Sequence, residues 1–203
     1  MIYSFDIFDT ALTRAVASPA DVFSLMQEKV KRENFPGFPE HLYCSFRSVR
    51  QNAERIARWH RRKEDVGMKD IYETMAQIYH VSSAVSYRLV ELELETEAFL
   101  IRPIEVVCER VRRLISSGEK VIFISDMYLP VDFLQSVLVN FSVAAGWENI
   151  FVSGDVGVRK ITGRLYRYVL KHFNIPATEL CHFGDHPIGD ILIPRLLGIS
   201  VPC

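Results

Sequence analysis

MIYSFDIFDT, residues 1–10, sets the reading of everything that follows it. An apolar, aromatic run stops abruptly at Asp6, and the same pattern returns three times further along the chain. KVIFI (120–124) stops at Ser125-Asp126, IFVSGDVGVR (150–159) leads into Lys160, and LCHF (180–183) stops at Gly184-Asp185, with Asp190 shortly after. Short β-branched or aromatic runs bounded by turn signals read as buried parallel strands. Strands are expected over 1–6, 120–125, 149–153, 180–184 and 198–201. Helical patterns separate the later ones, over 104–117, 130–141, 162–173 and 187–197, and Gly118 supplies the first of them with a stop. Strand alternating with helix is a βαβ series, so the fold class is α/β: a Rossmann-like parallel sheet wrapped by helices. In such sheets ligands bind outside the carboxyl ends of the strands, where Asp6, Ser125, Lys160 and Asp185 would arrive together.

Residues 17–101 break the alternation, with helical patterns and no convincing strand. Ser18-Pro19-Ala20-Asp21 reads as a helix start, a capping serine followed by proline at the first helical position. Asn34 to Pro39 reads as a loop, and helices are expected over 41–62, 68–80 and 82–101, the last ending before Pro103. An all-helical block after the first strand is an inserted cap. The domains expected are therefore a core of residues 1–16 and 103–203 and a helical cap of residues 17–102.

Composition narrows the partners. A chain of 203 residues with 49% hydrophobic and 24% charged residues is ordinary for a soluble protein, large enough for one core and an insertion. A formal net charge of -1 gives no reason to expect nucleic acid or an anionic membrane as partner. Asp6 and Asp9 interrupt the N-terminal apolar run, so it is not a signal peptide, and no stretch has the length of a membrane span. Cys44, Cys108, Cys181 and Cys203 lie far apart with no CxxC pair, which indicates reduced thiols and a cytoplasmic location. GISVPC at 198–203 reads as a strand without a closing helix, so the natural chain is expected to continue past Cys203 into further domains.

Taken singly, each polar mark has an ordinary explanation. Asp6 could cap a turn, Ser125 could cap a helix, Lys160 could be a solvated lysine. FDIFDTAL, ISDMYLP, KITGRLY and GDHPIGD, in that order from residue 5 to residue 190, are more specific as a set. The set resembles the four motifs of the haloacid dehalogenase-like (HAD) superfamily. That resemblance implies Asp6 as the attacking nucleophile, Thr10 as the motif threonine at the substrate, and Ser125 as a hydroxyl donor to a phosphoryl oxygen. It implies Lys160 as the cation that offsets repulsion between the nucleophile and an anionic group. It further implies a metal held by Asp6, the main-chain carbonyl of Phe8, Asp185 and Asp190, with Asp190 acting through water or by orienting Lys160. Three clustered carboxylates repel one another unless a cation lies between them, and Mg²⁺ suits an oxygen-only ligand set.

The chain departs from the usual phosphatase pattern at one position. The proton-shuttling aspartate two residues after the nucleophile is replaced by Phe8, whose ring has no proton to give. Asp9 and Asp126 are the candidates to replace it, Asp9 also reading as a turn-stabilising residue. In the helical block Arg50, Glu54 and Arg58 fall at i, i+4 and i+8 on one face, with Arg47 and Arg61 adding positive charge. Two readings stand: a solvated, salt-bridged face, or a lid face in which Arg50 and Arg58 bind an anionic substrate. Glu93 and Glu97 read as the solvated side of the last cap helix, and His186 as a surface histidine.

The function expected is Mg²⁺-dependent phosphoryl transfer from a small phosphorylated substrate through an aspartyl-phosphate on Asp6, slowed by Phe8. A domain that binds a phosphorylated ligand or scaffolds an attached transferase without hydrolysis is the alternative, and a haloacid dehalogenase ranks below both. FDIFDTALTR, FRSVRQNAERIAR and ISDMYLP further resemble a bacterial HAD branch found in longer proteins of surface-polysaccharide synthesis, some fused to glycosyltransferases.

Overall fold

A computed structural model describes residues 1–60, 63–143 and 149–202. The chain divides into two compact units, Met1–Thr13 with Arg102–Cys203, and Arg14–Ile101. The first holds a sheet of β1 (Ile2–Phe5), β4 (Lys120–Ser125), β5 (Ile150–Val152) and β6 (Leu180–Phe183), in the spatial order β5-β4-β1-β6. All its pairings are parallel, and β1 is central, with Ser4 opposite Ile122 on one side and His182 on the other. This is the α/β, Rossmann-like class.

Burial on both faces explains why these strands read as continuous apolar runs. In β4, Val121, Ile122, Phe123 and Ile124 are all buried. Ile122 and Ile124 pack on one face with Ile2, Leu180 and Leu165, Tyr166 and Val169 of α8 (Arg164–Phe173). On the other, Phe5 stacks on Phe183 at 4.8 Å between ring centres, and Arg110 of α5 (Glu105–Ser116) covers Phe183 at 4.0 Å. Burying a large apolar side chain of this kind contributes about 1.5–3 kcal/mol, so the central strands anchor the unit. The expected last strand, 198–201, is reduced to a single bridge between Ser200 and Cys181. Pro202 has no N–H to extend that ladder. The strand expected over 149–153 begins after residues 144–148, which lie outside those described.

In the second unit, α1 (Asp21–Arg32), α2 (Phe46–His60), α3 (Met68–Tyr79) and α4 (Ser83–Leu100) pack on one another. α1 starts later than Ser18 because Ser18–Ala20 forms a separate turn, with Asp21 Oδ2 accepting from the Ser18 N–H. The segment expected to begin a helix at 41 opens as a 3-10 turn, Glu40–Ser45, before α2. Two short strands absent from the sequence reading, β2 (Leu12–Arg14) and β3 (Ile101–Pro103), pair as a separate sheet. No helix among the described residues is long and apolar enough to cross a membrane.

Candidate active site

The carboxyl ends of β1, β4 and β6 deliver the candidate residues to one edge. Residues two apart on a strand share a face, so Ser4 and Asp6 point to the same side of β1. Asp6 is anchored by its N–H donating to Phe183 O at 2.8 Å. The chain then tightens: Ala11 and Leu12 both donate to Ile7 O, and Asp9 takes a left-handed φ of 57°. Across β6, Gly184 and Asp185 begin the second acidic segment, which runs into a π-helical turn, Pro187–Leu192, and α9 (Ile193–Leu196). A Cβ at Gly184 would lie 2.5 Å from Asp190 Cγ, so glycine is required for Asp190 to fold back against the strand end.

One carboxylate oxygen from each of Asp6, Asp185 and Asp190 lies within 4.8 Å of the others. Asp6 and Asp190 are buried, whereas Asp185 is exposed. Lys160 Nζ, only 4% exposed as a residue, sits 2.8 Å from Asp6 Oδ1 and 2.6 Å from Asp190 Oδ1. The Asp6 contact is a close charge pair without hydrogen-bond geometry, which leaves that buried oxygen short of a donor. Burial works to lower the Lys160 pKa, but Asp6 and then Asp190 outweigh it and hold the pKa above the ordinary lysine value. Although Asp185 is exposed as a residue, partial desolvation of its carboxyl pushes its pKa up, and the Asp6 charge adds to that. Clustered oxygens, an underbonded carboxylate and an acid kept reluctant to ionise together fit a small, hard divalent cation.

Asp190 is held differently. Its Oδ1 accepts from His182 Nε2 at 3.1 Å and faces the Tyr166 hydroxyl at 3.3 Å, while Oδ2 accepts from the His186 N–H at 3.1 Å. Burial opposes charging Asp190, but the His182 hydrogen bond and the Lys160 charge prevail and keep its carboxyl far below the usual range. His182 is fully buried, and burial lowers its pKa, so it is the neutral tautomer with Nε2–H directed at Asp190. Its Nδ1 then accepts from the Ser4 hydroxyl at 2.8 Å. Burial first, then Asp190 and Asp6, raise the Tyr166 phenol and keep it a donor.

The other expected site residues take more particular places. Ser125 ends β4 and is 2% exposed. Thr10, expected at the substrate, donates its hydroxyl to Asp185 Oδ1 at 3.2 Å and so orients a candidate metal ligand. Asp126, a candidate proton carrier, accepts the Lys160 N–H at 2.8 Å and lies 3.5 Å from Arg159 Nε, which makes it the latch that sets the Lys160 turn. Asp9 is exposed and accepts from Thr13 Oγ1 at 3.3 Å. Phe8 is 7% exposed, its ring belonging to the core. His186 is exposed, as expected, and its Nδ1 accepts from the Gly189 N–H at 2.9 Å.

The reading of Arg50 as part of a substrate-binding lid face is corrected. Arg50 is fully buried inside the helical unit, bound by Nε and Nη2 to both oxygens of Glu93 and by Nη1 to Glu54. Its guanidinium lies 4.7 Å from the Phe23 ring centre and 5.3 Å from that of Tyr72. Arg58 pairs with Glu54 and Asp65. Glu93 and Glu97, expected in solvent, are fully buried, Glu97 pairing with Arg14 at 2.7 Å. One buried carboxylate on α4, Glu93, captures Arg50, which the α2 pattern alone turns outward. Arg61 and Cys203 lie outside the described residues.

Sequence reasoning missed His182 and Ser4. The signal was there: each is the polar residue in an otherwise apolar strand, and the parallel register sets them side by side.

Comparison with known proteins bears on this geometry. A 2-haloacid dehalogenase of Pseudomonas syringae superposes with a TM-score of 0.65 at 18% identity, over 98% of this chain and 84% of its own. A HAD-family enzyme of Bacteroides thetaiotaomicron, in complex with magnesium and inorganic phosphate, gives 0.58 at 11% identity, over 99% and 92%. The fold is that of the HAD-like hydrolases. An L-2-haloacid dehalogenase of Xanthobacter autotrophicus, with chloropropionic acid covalently bound, shares the HAD-like fold at a TM-score of 0.59 and 14% identity, over 98% of this chain and 75% of its own. Among sequences, a phosphoserine phosphatase of Thermus thermophilus is 32% identical over 68 residues, 34% of this chain. The match spans only 27% of that phosphatase. No family model matches the chain.

Proposed function

We propose that the chain is a HAD-superfamily hydrolase that takes a phosphoryl group from a small phosphorylated metabolite onto Asp6, with Mg²⁺ as cofactor. The observation that carries this reading is the meeting of Asp6, Asp185 and Asp190 within 4.8 Å, with Lys160 between two of them. Phosphoryl transfer is mainly positioning and charge neutralisation, and those are what this edge of the sheet supplies. Asp6, Asp185 and the Phe8 carbonyl would hold the ion, and a bound Mg²⁺ would offset charge on the transferring oxygens.

An Asp6 oxygen attacks phosphorus as the bond to the leaving oxygen breaks, and that oxygen takes its proton from solvent. Lys160 balances the carboxylate and the arriving anion, and Ser125 donates to a phosphoryl oxygen. Water then attacks phosphorus, the bond to Asp6 breaks, and phosphate leaves. This second step is slow, because Phe8 has no acid–base group, Asp9 bonds to Thr13 and Asp126 to the Lys160 backbone. Phe8 at the acid–base position is also what favours the second reading, a domain that retains a phosphorylated ligand within a longer, glycosyltransferase-linked protein. Residues 14–101 serve as the cap that selects the substrate, and the cytoplasm is the compartment. Dehalogenation has no use for three clustered carboxylates and ranks lower.

The test is turnover of a panel of phosphate monoesters with Mg²⁺, by wild type and Asp6→Asn. Mg²⁺-dependent phosphate release abolished by Asp6→Asn is the expected result. Full activity in that variant, or release of halide from 2-haloacids in EDTA, would overturn the assignment.

A further inference from the structure

Asp190 and Lys160 are held by a hydrogen-bonded line that starts inside the sheet, away from the acidic cluster. Ser4 on β1 and His182 on β6 are register partners, both fully buried, with Oγ 2.8 Å from Nδ1. The other ring nitrogen meets Asp190 Oδ1, which also receives the Lys160 ammonium. The single proton of the Tyr166 hydroxyl goes to the shorter partner, Gly189 O at 2.8 Å, so Tyr166 is only a longer contact to Asp190. A carboxylate oxygen offers two in-plane lone pairs, and on Asp190 Oδ1 these are taken by Lys160 and His182. The imidazole therefore fixes which lone pair, and hence which direction, is left for the ammonium. That direction sends Nζ to Asp6 Oδ1.

We infer that His182, oriented by Ser4, is a positioning residue: it sets the Asp190 carboxylate so that Lys160, on the same Oδ1, is aimed at Asp6. This deepens the phosphoryl-transfer reading and rests on it for its kinetic form. Among the described residues His182 makes no hydrogen bond or ion pair to Asp6 or Lys160, so it acts through Asp190. Its other visible task is packing, since the ring meets Tyr166 edge-on at 5.1 Å between centres.

Two substitutions separate these tasks. His182→Gln keeps an N–H donor near the Nε2 position but removes the ring; His182→Phe keeps a ring against Tyr166 but removes both nitrogens. Positioning predicts that His182→Phe lowers kcat about 10–100-fold with KM nearly unchanged, as is usual for partners that orient site ligands. His182→Gln then recovers most of kcat even where its melting temperature is the lower of the two. Ser4→Ala, which frees Nδ1, should show a smaller kcat loss and serves if His182→Phe fails to fold. Activity that follows melting temperature, with His182→Phe near wild type and His182→Gln impaired, would overturn the inference.

A wild type silent on every phosphoester would defeat the proposed reaction and leave a second readout for His182. That readout is the Mg²⁺ concentration giving half-maximal thermal stabilisation: raised in His182→Phe and restored in His182→Gln if the inference holds. Equal midpoints in the two variants, or no Mg²⁺ effect on the wild type, would reject it.

Discussion

Two buried cations, Lys160 in the α/β unit and Arg50 in the helical unit, each lie between two carboxylates, and their difference separates chemistry from architecture. Around Arg50 the account is closed. Its guanidinium engages both oxygens of Glu93, one of Glu54 and two aromatic faces, and Glu93 also accepts from the Tyr72 hydroxyl. Burial, then the Glu93 charge, raise the Tyr72 phenol and keep it a donor. Around Lys160 the account is left open. Three carboxylates gather at a strand edge beside one ammonium, one of them is exposed, and one buried oxygen lacks a hydrogen bond. Closed charge networks hold a fold together, whereas an excess of one sign at an accessible edge invites a ligand.

Gly184→Ala should break the open side of this comparison most severely. The added Cβ would collide with Asp190 Cγ at 2.5 Å, forcing the carboxylate away from Lys160. Displacing a positioned group by about 1 Å costs about 100-fold in rate, so phosphatase assays should show at least that loss. Wild-type kinetics in this variant would mean that Asp190 has no part in the reaction.

On the closed side, Arg50→Ala removes one partner of a fully buried pair and strands Glu93. Such a loss costs about 3–5 kcal/mol, which urea unfolding of the helical unit should report. Arg58, whose side chain is 34% exposed, should cost less than Arg50 on replacement by alanine, because its buried partner Asp65 keeps the Val66 N–H. A cost for Arg58 equal to that for Arg50 would contradict the burial difference. So would a raised KM with unchanged stability in Arg50→Ala, which would return that residue to substrate binding.

How much was legible beforehand follows the same division. Asp6, Ser125, Lys160 and Asp185 are readable because each ends a strand-like run or follows one, and parallel strands end on the same edge. The helical block is readable from its patterns. Arg50 was not, because periodicity along α2 gives a residue's face but not the acid waiting on α4, 43 positions away in sequence. His182 and Ser4 needed the register, which no single strand contains. Thr10 and Asp126 were read as candidates, while their immediate partners, Asp185 and the Lys160 N–H, depend on how two loops fold back.

Smaller effects appear with pH in metal-free buffer. The pKa of His182 falls below its ordinary value of about 6.5 on folding, so its contribution is complete above that pH and is lost as pH falls. Asp190, depressed below about 3.9, loses its contribution only in stronger acid, and Lys160, raised above about 10.4, only in strong alkali. Melting temperatures in EDTA should therefore decline from pH 7 to 5 and hold level from 7 to 9, and His182→Gln should flatten the decline. Asp185 runs in the opposite sense: its raised pKa favours the fold while protonated, and that gain is lost as pH rises through the folded value. Mg²⁺ competes with that proton, so it should stabilise the protein more at pH 7 than at pH 5. Profiles from 7 to 5 that coincide in wild type and His182→Gln would mean that His182 does not sit neutral in the interior.

The most direct measurement is to incubate the protein with Mg²⁺ and acetyl phosphate, quench in acid and map the modified peptide by mass spectrometry. The account expects a phosphoryl group on the segment containing Asp6, removed by hydroxylamine, absent in EDTA and absent from Asp6→Asn. A phosphoryl group on any other residue, or an Asp6→Asn variant labelled as fully as wild type, would contradict it.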